Sequence, residues 1–286
     1  MKRSLFKVTL TVTCIAMAIL PAISGGASGA SISPATTSVR IAYVYNSTKT
    51  YSSNRALDFA TFLGSNGYVT VPVNMSAVTS FDFQSVSAVL IDHFTCEGIE
   101  TQWQGSTAQR NTIVNSNKPV VGLGRGGAGF FNSQGLWIGN SFSVTVPSNP
   151  CAPVSTTHQI FTVPTTITGT SLTIATTAEC YYRTSAGKPA DVNLLVNMTF
   201  SASSDHFPIM QEAGKYYFWG FTEKASALSA TGKSLFLNLL YYIAPPETLP
   251  PGNPLDITTI QWIIIAGLAV GLVIAMFVAI KRGRKA

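Results

Sequence analysis

Residues 118–131 read KPVVGLGRGGAGFF. A short apolar run, 119–123, ends abruptly among Gly122, Gly124, Gly126, Gly127 and Gly129. The run predicts a buried strand, and the glycines predict a tight turn with a helix beyond it. Glycine is used where φ must be positive or where another group approaches the backbone closely. In α/β sheets, sites lie at such carboxyl ends of strands. In some enzymes this kind of turn carries a nucleophile on a strained elbow. Here the sharpest part of the turn holds Gly124 and Arg125, and 118–131 contains no Ser or Cys.

Working outward, VRIAYVY at 39–45 predicts a buried first strand, followed by a polar loop over 46–53. Ala56, Phe59, Ala60 and Leu63 recur at helical spacing within 54–64, and Gly64 and Gly67 close that helix. Strands follow at 69–73 and 88–92, then a segment over 102–115 that becomes helical towards its end. Strands alternating with helices at this spacing predict parallel strands joined by right-handed crossovers. The region 136–200 has a different character, with β-branched and polar residues and loop signals at Pro147, Pro150 and Pro153. It predicts short antiparallel strands, including 171–175 and 192–198. YYFWGF at 216–221 is a last apolar strand. Leu228, Leu235, Leu239 and Tyr242 then place a helix over 228–243 that packs back on the sheet. The fold class expected is flavodoxin-like α/β: a mostly parallel sheet flanked by helices, an antiparallel β-rich insertion, and one C-terminal transmembrane helix.

The ends have another composition. Residues 1–30 read as a secretory signal peptide, with Lys2, Arg3 and Lys7 before an apolar core and Ser28-Gly29-Ala30 at the exit. The body is expected to span 31–245. APPETLPPGNPLD at 244–256 is a proline-rich stretch, so 246–258 reads as a stiff stalk. A transmembrane helix is expected over 259–280, because 262–280 carries no charge and Lys281, Arg282, Arg284 and Lys285 follow. Those basic residues place the tail, 281–286, in the cytoplasm and the body outside the cell. The localisation expected is a single-pass cell-membrane protein. Gly267, Gly271 and Ala275 share one face of the span at four-residue spacing, a ridge suited to self-association.

The formal net charge is +6, but the ends produce it. Of 18 Lys and Arg, three lie in the leader and four in the tail, which leaves 11 against 12 Asp and Glu. Nucleic-acid binding is rejected on that ground. Sequons at Asn46, Asn74 and Asn197 are candidate glycan acceptors in an exported chain. Beyond the leader, Cys96, Cys151 and Cys180 permit one disulfide. The pair Cys151 and Cys180 is favoured, with Cys96 and Cys151 the alternative.

Four stretches together resemble the class I glutamine amidotransferase-like superfamily, and within it the ThuA-like, non-amidotransferase branch. They are VRIAYVY with the helix ALDFATFL, then DFQSVSAVLID, KPVVGLGRGG, and AGKYYFWGFTEKASALSATGKSLFLNLLYYI. The resemblance covers 39–244. The family's elbow reads glycine, any, cysteine, any, glycine. Gly122-Leu123-Gly124-Arg125-Gly126 occupies it here, so Gly124 stands at the nucleophile position. The family's histidine falls on Phe221 and its glutamate on Glu223. The resemblance therefore implies the fold without the catalytic cysteine and histidine. Thiolate chemistry needs both a thiol and a positioned base.

Asp92, His93, Cys96 and Glu97 cluster after the third strand, on the rim where the glycine turn should lie. The ligand-binding candidates are Asp92, His93, Gly124, Arg125, Gly126 and Glu223. Arg125 either clamps an anion or pairs with an acid such as Asp92 or Glu223. The spacing His-x-x-Cys occurs once and is not a metal motif, so neither metal nor cofactor is expected. The leading expectation is a catalytically inactive surface module that binds carbohydrate or an envelope partner. The alternatives are an extracellular hydrolase using the His93/Cys96/Glu97 rim and a structural envelope component.

Overall fold

Val, Ile, Tyr and Leu fill the central strands on both faces, which is the pattern of a sheet covered by helices on either side. In the computed structural model, described over residues 38–96, 101–147, 150–175, 177–200 and 203–246, those strands build one eight-stranded sheet. Its parallel half comprises β1 (Val39–Tyr45), β2 (Tyr68–Asn74), β3 (Ala88–Ile91), β4 (Val120–Leu123) and β10 (Tyr216–Trp219). Their order is β2-β1-β3-β4-β10, the flavodoxin-like arrangement. The insertion between β4 and β10 extends the sheet with antiparallel strands: β9 (Ile209–Glu212), β8 (Val192–Met198) and β6 (Cys151–Pro153). A second sheet pairs β5 (Phe142–Pro147) with β7 (Thr177–Tyr182).

Alternate residues of each central strand enter opposite cores. One face carries Ile41, Tyr43, Leu90 and Trp219 against helices α1 (Thr50–Gly64) and α5 (Ala230–Ile243). The other carries Val44, Val89, Ile91 and Phe218 against α2 (Thr101–Gly105), α3 (Thr107–Asn115) and α4 (Gly124–Asn132). Phe59, Leu235, Phe236 and Leu239 supply the first helical layer, and Trp103, Ile113, Phe130 and Phe131 the second. Each such side chain stabilises the fold by about 1.5–3 kcal/mol through burial.

Three differences from the sequence reading have physical causes. The first helix starts at Thr50, inside the expected loop, where the polar Ser52 is buried against Asp92. The segment 171–175 makes only isolated bridges, Leu172 to Cys151 and Ala175 to Leu228, and is no strand. The segment 102–115 breaks at Ser106 into two helices. The leader at 1–30, the span at 259–280, the tail and Glu97 lie outside the described residues, as do Gly267, Gly271, Ala275 and nearly all of the stalk. Among the described residues no helix is long and apolar enough to cross a membrane.

Candidate functional site

Strand β4 ends at Leu123 and α4 begins at the next residue, so the glycine cluster lies mostly within the helix. Gly124, at the junction, has φ +47°, the left-handed region that disfavours side chains. A Cβ at Gly124 would lie 2.5 Å from His93 Nδ1 and 3.1 Å from Thr222 Cγ2. Two residues on, a Cβ at Gly126 would lie 1.9 Å from the Asp92 carbonyl oxygen. The glycines thus press the helix directly onto the end of β3 and the 3-10 turn His93–Thr95.

His93 sits inside the elbow. Its Nδ1 accepts the Arg125 backbone N–H at 3.0 Å, which puts the proton of the neutral ring on Nε2. Burial, followed by the Arg55 and Arg125 guanidinia, pushes its pKa down to about 3, against the opposing pull of Asp92. His93 is therefore an uncharged plug at ordinary pH. It occupies the volume a nucleophile side chain at Gly124 would need.

Asp92 lies behind His93 with no exposed surface. Its carboxylate accepts from Tyr43 Oη at 2.6 Å, Ser52 Oγ at 2.6 Å, Arg55 Nε at 2.8 Å and the Phe94 N–H at 3.1 Å. Four donors consume its acceptor capacity, so Asp92 is a structural anchor and has nothing left for a ligand. Arg55 is almost as buried, and its Nη1 donates to the Thr222 carbonyl. The guanidinium carbon lies 5.7 Å from the Phe59 ring centroid and 5.8 Å from that of Phe94. Burial raises the Tyr43 hydroxyl well above its usual pKa, and the Asp92 charge adds to this.

The solvent side of the elbow belongs to Arg125. Its Nε donates to Tyr181 Oη at 2.7 Å, the Tyr181 hydroxyl donates to Glu179 Oε1 at 3.0 Å, and Nη2 lies 3.7 Å from Glu179. The two charged side chains remain 40% and 31% exposed, so the pair is reachable from water. Glu179 and Tyr181 come from β7, whose backbone is pinned beside the elbow. The Tyr181 N–H donates to the Gly220 carbonyl at 2.8 Å and the Thr222 N–H to the Glu179 carbonyl at 3.2 Å. Glu223 follows Thr222, and burial raises its pKa while Arg55 and Lys224 oppose the shift.

The fold therefore gathers Asp92, His93, Gly124, Arg125 and Gly126 at the carboxyl ends of β3 and β4, with Glu223 on the adjoining loop after β10. The sequence reading offered Asp92 or Glu223 as acids for Arg125, and the pairing found is different. Arg125 meets Glu179, whereas Asp92 meets Arg55. Gly126 is buried against backbone and offers no ligand surface. Tyr43, Ser52, Arg55, Glu179 and Tyr181 were missed, since nothing in sequence spacing links them to the elbow. Phe221, on which the resemblance would put a histidine, is buried beside Trp219 with ring centroids 5.6 Å apart.

The remaining candidates are placed as follows. Cys96, Cys151 and Cys180 are all buried as thiols, so the favoured Cys151–Cys180 bridge is open in this structure. Asn46 is only 6% exposed and its Oδ1 accepts from the Thr48 N–H and hydroxyl. Asn74 donates to Ser47 Oγ at 2.6 Å, and Asn197 is half-buried in β8 between β6 and β9. Among the described residues no cluster of His, Cys, Asp and Glu could hold a metal ion.

Known proteins share the fold of this chain and little of its sequence. No protein-family model matches the sequence, and no curated protein does. Among solved structures, ThuA-like proteins and glutamine amidotransferases are similar to it in fold. A ThuA-like protein from Bacteroides uniformis has a TM-score of 0.51 at 12% identity, over 72% of this chain and 91% of that one. A second ThuA-like protein, from Parabacteroides merdae, has a TM-score of 0.47 at 9% identity, over 71% of this chain and 88% of that one. A glutamine amidotransferase from Thermotoga maritima has a TM-score of 0.46 at 9% identity, over 72% of this chain and 98% of that one. At such identities the likeness establishes the fold alone.

Proposed function

We propose that this chain is a membrane-anchored surface protein whose amidotransferase-like domain binds a carbohydrate or an envelope partner and performs no nucleophilic catalysis. One observation carries the loss of chemistry. His93 Nδ1 fills the position of a side chain at Gly124 and takes up the Arg125 N–H. In elbow hydrolases the N–H that follows the nucleophile helps stabilise the oxyanion. Here a neutral imidazole already occupies that donor. Cys96 supports binding over the hydrolase reading, because it is 1% exposed and packed against the helix at Gly129. The rim that remains for a partner is the partly exposed pair of Arg125 on α4 and Glu179 on β7, bridged by the buried Tyr181.

The full chain, purified in detergent, tests this directly. Ammonia release from glutamine should stay at the buffer background. Binding to an array of glycans and to a solubilised envelope fraction should fall at least tenfold in Arg125→Ala. Glutamine turnover abolished by Cys96→Ala would overturn the inactive reading, and unchanged binding in Arg125→Ala would overturn the rim. Retention of the chain in the pellet after alkaline carbonate washing of membranes checks the anchor.

A further inference from the structure

We infer that Arg55 on α1 donates to a hydroxyl oxygen of a bound carbohydrate whose ring packs on Tyr51 and Phe94 beside the elbow. The inference rests on the reading of the domain as a binding module; it names the ligand class and adds a contact away from the Arg125 rim. The inner ion pair is complete on one side only. Asp92 has its acceptor capacity in use, whereas Arg55 has a donor to spare. A guanidinium carries five N–H donors in a fixed fork. Nε of Arg55 donates to Asp92 and Nη1 to the Thr222 carbonyl, while Nη2 is buried with no acceptor among the described residues. A buried donor without a partner costs free energy, which an incoming oxygen atom recovers.

The surroundings select the oxygen. Tyr51 precedes Arg55 by four residues on α1, so the two share a helix face. The Tyr51 ring is 74% exposed and lies 6.0 Å from the Phe94 ring, centroid to centroid, with 33° between their planes. The Arg55 guanidinium carbon is 5.8 Å from the same Phe94 centroid. Phe94 is partly exposed and its ring is 4.5 Å from that of His93, so the patch adjoins the elbow. Glu223, also partly exposed, comes directly after the carbonyl that Arg55 holds. Asp92 already offsets the Arg55 charge and Glu223 adds another negative one, so an anion gains little here. A neutral hydroxyl suits the site, since its oxygen accepts from Nη2 and its O–H donates to Glu223. Sugar rings also carry apolar C–H faces, and Tyr51 and Phe94 present aromatic faces to pack against them. The exposed Tyr51 ring is free to turn and admit the ligand to Nη2.

The experiment titrates the full chain, in a detergent that is not a glycoside, with the methyl pyranosides of glucose, galactose and mannose, read by saturation-transfer NMR. At least one should bind, and its Kd should rise about tenfold or more in Tyr51→Ala and in Glu223→Ala. Monodeoxy analogues of that sugar then remove its hydroxyls one at a time. One of them should bind the wild type about tenfold more weakly, and this penalty should shrink in Glu223→Ala, a coupling that a merely structural role would not produce. Pyranoside binding lost in Arg125→Ala but unchanged in Tyr51→Ala and Glu223→Ala overturns this contact and leaves the rim standing. A wild type that binds no pyranoside, or captures an envelope protein in place of sugar, overturns the carbohydrate assignment. Monodeoxy analogues that all bind the wild type as tightly as the parent sugar overturn the hydroxyl contact even if a variant fails to fold.

Discussion

Two charged clusters flank His93, and they differ in what they are for. On one side Asp92 and Arg55 form a fully buried ion pair whose carboxylate is saturated by four donors. On the other side Arg125 and Glu179 form a half-exposed pair bridged by Tyr181. Each pair joins an arginine to a carboxylate. Burial separates them: the inner pair holds β1, β3 and α1 together, while the outer pair remains partly exposed to solvent. A buried pair that loses one member leaves an uncompensated charge, whereas an exposed pair contributes little to stability.

The largest effect expected from this contrast is in Asp92→Ala. It strands Arg55 without its counter-ion and should cost about 3–5 kcal/mol in stability, read as a fall in the urea midpoint. A loss below about 1 kcal/mol, the range of an exposed pair, would mean that the inner cluster anchors nothing. Gly124→Cys comes next. It puts a side chain at positive φ and drives it into His93, and should destabilise by about 1–3 kcal/mol without creating glutaminase activity. Adding His93→Ala should recover part of that loss, and a strictly additive double mutant would refute the plug.

The pH dependence ranks third. His93 in the folded chain has its pKa at about 3, below its ordinary value of 6.5. Between these values the unfolded state binds a proton that the folded state refuses. The contribution of His93 is therefore complete above the ordinary value of 6.5 and is lost as pH falls towards about 3. Its slope reaches about 1.4 kcal/mol per pH unit. The wild type minus His93→Asn difference isolates this contribution from other titrating groups, and a flat difference would count against it. The smallest effect on stability is expected for Glu179→Gln, within about 0.5 kcal/mol, although partner binding at the rim should weaken. A large stability loss there would erase the distinction between the clusters.

Much of the parallel half was legible because its signals are local. VRIAYVY, AVLID and PVVGL are apolar runs of strand length, and ALDFATFL repeats at helical spacing. The first turn of α1 was misread because Ser52 looks like a loop residue until Asp92, far along the chain, gives it a buried partner. The antiparallel insertion was legible in kind but not in detail. Strand β9 and the division of β5 and β7 into a separate sheet follow from non-local pairing, which β-propensity does not encode.

For the site, the sequence by itself determined that position 124 offers no side chain. Gly124 has no side chain whatever the fold does around it, and the glycines on either side mark the turn. It also placed Asp92 and His93 at the end of β3, since an apolar run must end where its polar residues begin. Only the tertiary structure decided what each group does. Burial made Asp92 an anchor and His93 a neutral plug, and β7 brought Glu179 and Tyr181 to Arg125 from a distant part of the chain. Charge state and availability depend on desolvation and on partners distant in sequence, and those exist only once the chain has closed on itself.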